Sequence, residues 1–254
     1  MAKKTTLLIA ATMVTLFFTV AAHGQEVPPG ALVQIIDCSL QDGVTMADAV
    51  AQARSYSWDE TSPNLVFFRQ SVYGGSYREN YDFRIASYFP SYSEMISRYS
   101  AEKARQRQTR SAGFFTCDPV TRRLIQAHPV NPENDGFAGD GTLMTTRFCR
   151  LNDGKTIADA HTFAQGVASN FANAGDTSLA QMYTLEQGPI GDTVYGRGVV
   201  FATVPATPAA FGERQDLRRD GFDPLEGLRP LPVSCDAPAM WFTSAIHRGG
   251  GGNN

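Results

Sequence analysis

Three histidines lie beyond the first two dozen residues, and histidine is the side chain best suited to proton transfer near neutral pH. His161 sits in Ile157-Ala-Asp-Ala-His-Thr-Phe-Ala164, whose apolar spacing is helical, and it falls on the side to be covered, between Ala160 and Ala164. There it is a candidate catalytic base or ligand at a pocket; the plain alternative is a hydrogen-bonded, half-buried histidine. His128 and His247 each follow an apolar run at matching places. They are candidate ligand-binding residues, with wet strand ends as the alternative, and no metal site is expected. Seven of the nine tyrosines crowd into Tyr56–Tyr99. Tyrosine and tryptophan give a pocket an apolar wall with polar tips, so Trp58, Tyr73, Tyr81 and Tyr88 complete the candidate binding set. The competing reason is that strands favour aromatics.

Other chemistry finds less support. Lys103, Arg105, Arg107 and Arg110, with Arg122 and Arg123, fit an acidic ligand or a solvated helix face. No Gly-rich phosphate loop, Gly-x-Ser-x-Gly elbow or metalloprotease helix motif is present. The four cysteines permit three pairings. A repeat selects one. Cys38-Ser-Leu-Gln-Asp-Gly-Val-Thr-Met-Ala-Asp48 recurs as Cys149-Arg-Leu-Asn-Asp-Gly-Lys-Thr-Ile-Ala-Asp159, and Cys117-Asp118 recurs as Cys235-Asp236. Ordered matches at a near-constant offset mean two copies of one folding unit. Disulfides Cys38–Cys117 and Cys149–Cys235 keep that symmetry and leave no thiol for nucleophilic work. A zinc site is the rival, without the close Cys-x-x-Cys pairs such sites use.

The elements that must hold these residues read the same way in both copies. Ala31–Leu40 is a strand, Thr45-x-x-Asp48 caps a helix, Leu65–Val72 and Tyr81–Phe89 are strands, residues 93–108 a second helix and Thr116–Ala127 a fourth strand. Copy two repeats the β-α-β-β-α-β order. The expected layout is a signal peptide at 1–24, repeat one at 31–130, a polar Gly-rich linker at 131–142, repeat two at 143–247 and a disordered tail at 248–254. Acids in the linker could hold calcium, but their spacing is not that of an EF-hand loop.

The leader carries Lys3 and Lys4 before the apolar run Leu7–Val20, which is short of the roughly 20 residues of a membrane span. Its removal takes the net charge from −3 to −5 with the loss of those two lysines. A mildly acidic chain argues against nucleic acid and anionic membranes as partners. A periplasmic or secreted protein with no membrane span is expected.

The β-α-β-β-α-β order is the split βαβ pattern, in which the first and fourth strands lie side by side and the cysteines ending one and starting the other meet. Two such units resemble the dimeric α/β-barrel superfamily. The resemblance implies an α+β fold: two tandem ferredoxin-like βαββαβ repeats, their sheets face to face, as a pseudo-two-fold dimeric α/β barrel. It also implies a monomer with an internal pseudo-dimer and pockets between sheet and helices. The superfamily includes cofactor-independent oxygenases, haem-degrading monooxygenases and ligand-binding proteins. The haem-degrading branch uses an asparagine on strand one, a tryptophan on strand three and a histidine on the second helix. Here strand one carries Gln34 and Asp37, or Thr145 and Arg147, and the other two residues have no match. No cofactor is expected.

The leading functional reading is binding of a small apolar or aromatic molecule. A cofactor-independent oxygenase or isomerase using His161 and nearby tyrosines is the competing class, and a structural or interaction module is the third.

Overall fold

The computed structural model describes residues 27–59, 62–74, 81–98, 113–134, 136–188 and 197–249. The expected signal peptide lies outside them, as do residues 250–254 of the expected tail, Tyr77, Tyr99, Lys103, Arg105, Arg107 and Arg110.

β1 (Ala31–Leu40) is apolar on both faces: Val33 and Ile35 join one buried cluster, Ile36 and Cys38 another. Such a strand is covered from both sides. After it, Gly43 takes φ +78° in a turn that leads into α1 (Met46–Arg54). The capping box is made twice. Thr45 Oγ1 accepts from the Asp48 amide at 3.2 Å, and the Asp48 carboxylate accepts from the Thr45 amide at 2.9 Å. Thr156 and Asp159 do the same, at 3.2 and 2.8 Å, at the start of α3 (Ile157–Asn173). These hydrogen bonds hold both carboxyls below their ordinary range.

Between those helices come β2 (Leu65–Tyr73), β3 (Phe83–Phe89), α2 (Tyr92–Arg98), β4 (Phe115–Cys117), β5 (Arg123–Pro129) and β6 (Gly141–Leu151). β7 (Leu179–Gln187), β8 (Gly198–Val204), α4 (Pro208–Arg219), β9 (Val233–Cys235) and β10 (Ala239–Arg248) follow α3. The fourth strand expected at Thr116–Ala127 is broken by a 3₁₀ turn at Pro119–Thr121. Pro119 has no amide to give a ladder, and the Asp118 carboxylate accepts from the Val120 amide at 2.9 Å instead.

The expected α+β architecture of two ferredoxin-like βαββαβ repeats, packed sheet on sheet, needs correcting. The strands run β2-β3-β1-β5-β7-β8-β6-β10 and back to β2, every pair antiparallel. This is one closed, eight-stranded β-barrel, mostly sheet, with four described helices of 9, 7, 17 and 12 residues. The cause lies at the strand edges. An unpaired edge leaves backbone N–H and C=O groups without partners, and closure removes every such edge. β5 therefore pairs with β7 (His128 opposite Met182), and β10 with β2 (Ala245 opposite Phe67). The halves share one hydrogen-bonded ladder instead of meeting face to face.

The barrel interior is a filled core. Phe67, Tyr88, Phe137, Met144, Tyr183 and Trp241 pack there with smaller side chains. Buried Asp37 lies 3.3 Å from Arg84 Nε and 3.3 Å from Arg123 Nη1, and the Arg84 guanidinium stacks 4.3 Å above Trp241. The barrel ends are extended by β4 on β1 and β9 on β6, where Cys38 faces Cys117 and Cys149 faces Cys235. Both pairs are disulfides, spanning 79 and 86 residues. Loops of that length are worth about 4–5 kcal/mol each in the chain-entropy picture. Among the described residues, no helix is long and apolar enough to cross a membrane.

Candidate functional site

The helix-covered outer face of the barrel is built differently in its two halves, and strand register says where. In the first half Cys38 pairs with Phe83, Leu40 with Phe115, and Ile85 with both Ile36 and Phe68. In the second half Cys149 pairs with Val199, Leu151 with Val233, and Phe201 with both Arg147 and Met182. Phe68, Phe83 and Phe115 thus occupy the positions of Met182, Val199 and Val233. The three phenylalanines pack on one another, with ring centroids 4.8–5.6 Å apart, and fill the space beneath α1. Aliphatic side chains take their place: Met182 and Val199 are packed beneath α3, and Val233 borders open room.

That room is a cavity of about 750 Å³ between the outer face of β6, β7 and β8, the helices α3 and α4, and residues 222–238. Phe163 and Phe171 from α3, Phe201 from β8 and Phe222 make its aromatic walls. Thr145, Arg147 and Thr203 put polar groups on its floor, while Arg214, Gln215 and Arg218 of α4 reach it from above. Residues after α4 are held down on α3. Asn170 donates from its amide to the carbonyls of Pro224 (3.1 Å) and Glu226 (3.0 Å). Leu228 packs close against Gly166: a Cβ there would lie 2.6 Å from Leu228 Cδ2 and make that side chain shift.

The cations of the cavity are not equally satisfied. Arg214 forms a buried ion pair with Asp176, and its guanidinium lies 3.3 Å over the Phe171 ring. Arg219 pairs with Asp216 and Asp220. Among the described residues, Arg147 and Arg218 have no carboxylate within ion-pair distance. Burial, then repulsion from Arg218, pushes Arg147 below the ordinary arginine range and Arg214 down to about 9. Both stay charged at neutral pH.

The residues expected from the sequence are placed apart. His161 is buried on α3 and bonds through Nε2 to the Pro129 carbonyl at 2.8 Å, outside the cavity lining. A carbonyl only accepts, so Nε2 carries the proton. His128 likewise gives Nδ1–H to the Pro28 carbonyl (2.8 Å) and accepts at Nε2 from Thr184 (2.9 Å). Trp58 and His247 do come together, stacked with centroids 4.5 Å apart, beside α1. Burial lowers the His247 pKa there. Tyr88 points into the barrel core and accepts from Arg69 Nη2 at 2.6 Å. Tyr81 donates to the Asp118 carboxylate, and Tyr73 is 70% exposed at a strand end. Strand register also fixes which residues of the two halves correspond. Gln34 pairs with Ser87 and Thr145 with Thr203, so Ser87 is the counterpart of Thr203, and a slip of one residue changes the face.

Arg147 was legible in one way only: it stands two residues before Cys149, where Ile36 stands two before Cys38. The rest of the lining, from α4 and the residues after it, carries no sequence motif. Among the described residues, the cavity lining holds no histidine, methionine or tyrosine, and the one cysteine in it, Cys235, is in a disulfide. None of the other described lining residues is of a type that serves haem as an axial ligand, and no three His, Cys, Asp or Glu side chains among the described residues group as a metal site.

No protein-family profile and no curated protein matches the chain. Solved structures do. A candidate monooxygenase of Lactobacillus acidophilus superposes with a TM-score of 0.52 at 12% identity, over 86% of this chain and 95% of its own. A candidate monooxygenase of Fusobacterium nucleatum superposes at 0.54 with 8% identity, over 87% and 94%. Identity this low makes the likeness one of fold. The eight-stranded barrel is the fold shared with those two structures.

Proposed function

We propose that the protein binds a small, partly aromatic molecule in the cavity of its second half. The carrying observation is an aromatic-walled space of about 750 Å³ beside a barrel whose interior is packed. It falls in the usual range for small-molecule sites, mostly apolar with a few convergent polar groups. The protein works outside the cytoplasm, a reading supported by two disulfides, which persist in oxidising compartments. It works as a monomer, a reading supported by barrel closure, which leaves a free edge only on the three-residue β4 and β9 among the described strands.

Native mass spectrometry of the protein from its own exporting host tests this. A reproducible small-molecule adduct is expected, and it should be lost in Val233→Phe, which places the bulk of Phe115 in the cavity. Bare mass in the native protein, together with no uptake of a naphthalene probe, overturns the reading. The second reading, a cofactor-independent oxygenase, is favoured by the two fold neighbours described as candidate monooxygenases. Oxygen uptake that depends on the bound molecule would select it over simple binding. His161 offers this reaction no base at the cavity, because its ring is turned to Pro129.

A further inference from the structure

We infer that the molecule in this cavity is an organic carboxylate, its aromatic body on Phe163 and Phe201 and its anionic end held by Arg147 and Arg218. This rests on the cavity reading and adds the charge of its occupant. The argument starts from what the fold does not need. At the position of Arg147 the first half carries Ile36, paired with the same kind of barrel strand, so a cation there is no requirement of the barrel. A cation kept at the floor of an apolar cavity is costly unless an anion meets it.

The protein supplies such an anion to Arg214, through Asp176, and none to Arg147 or Arg218 among the described residues. The other acid of the lining, Asp223, is engaged in its own turn, accepting from the Leu225 amide at 2.9 Å. Arg147 is partly buried on β6, whereas Arg218 is exposed on α4. The carboxylate thus lies between Arg147 on the floor and Arg218 on α4, with the apolar body beside it on the aromatic walls. Thr145 and Thr203, paired across β6 and β8, add two hydroxyls to the same floor. Guanidinium groups suit a carboxylate because their planar fork matches its two oxygens.

Calorimetric titration with naphthalene-2-carboxylate and the neutral naphthalene-2-carboxamide separates this inference from the reading beneath it. The native protein should bind the carboxylate at least about tenfold more tightly than the amide, the scale of a charge-assisted hydrogen bond. Arg147→Ile, which installs the residue of the first half, should erase the preference, bringing the carboxylate to the affinity of the amide. Arg147→Lys should keep part of the preference, and added salt should weaken the carboxylate but not the amide. Equal binding of the two probes, or a preference that survives Arg147→Ile, overturns the inference and leaves the binding site standing. Failure of the native protein and of Arg147→Ile to bind either probe overturns both. If Arg147→Ile does not fold, Arg147→Lys and the salt dependence decide alone.

Discussion

The two halves of the barrel share strand order, capping boxes and disulfide positions, and differ in what lies between strands and helices. In the first half, Phe68, Phe83 and Phe115 close that space against α1. In the second, Met182, Val199 and Val233 stand at the same register, and a cavity opens toward α4, which buries none of its residues. One half fills its outer face, and the other leaves it open. Bulk fills; it does not line. The half richer in tyrosine is accordingly the solid one.

Where the halves are alike, equal damage is expected. Cys38→Ser with Cys117→Ser, and Cys149→Ser with Cys235→Ser, should each lose about 4–5 kcal/mol in guanidinium unfolding, because the loops are nearly equal in length. A large difference between the two double variants would show that one half carries the fold alone. The next largest effect belongs to the second half only. Asp176→Asn strands the Arg214 charge under α4 and should cost about 3–5 kcal/mol, read in the same titration. A near-neutral result would mean that Arg214 swings into solvent and that α4 is held by other contacts.

The smallest effect sharpens the comparison most directly. Phe115→Val should hollow the first half at a cost of roughly 2 kcal/mol, the scale of partial loss of a buried ring. Val233→Phe should change stability by less than that while abolishing uptake of naphthalene probes. Probe binding by Phe115→Val in the first half would show that volume alone makes a site; no binding there would point to Arg147 as the missing ingredient.

Much of the scaffold was legible in the residues. The β-branched run of Ala31–Leu40, the Thr-x-x-Asp boxes at Thr45 and Thr156 and the cysteine pairing all rest on local chemistry or on the internal match, and the structure contains each of these features. Barrel closure was not legible. Nothing in Leu65–Tyr73 states that its free edge will meet Ala239–Arg248, because backbone hydrogen bonding is blind to side chains and the partner is over 160 residues away. The site was harder still. A cavity is a deficit of volume among residues distant in sequence, and a valine in place of a phenylalanine carries no motif. Arg214 and Arg218 reach it from the second helix of copy two, which the repeat leads one to expect, and Phe222 from the turn after it, but no motif marks these side chains as lining.

The covalent continuity from β5 to β6, through residues 130–140, has a consequence for how such a molecule can change. A barrel assembled from two identical chains is bound by symmetry, so every substitution enters both halves at once. Hollowing one floor would hollow the other, and an arginine gained for a ligand would be buried a second time with nothing to meet it. In a single polypeptide the two floors vary independently. One half can hold the structure rigid while its counterpart explores new occupants.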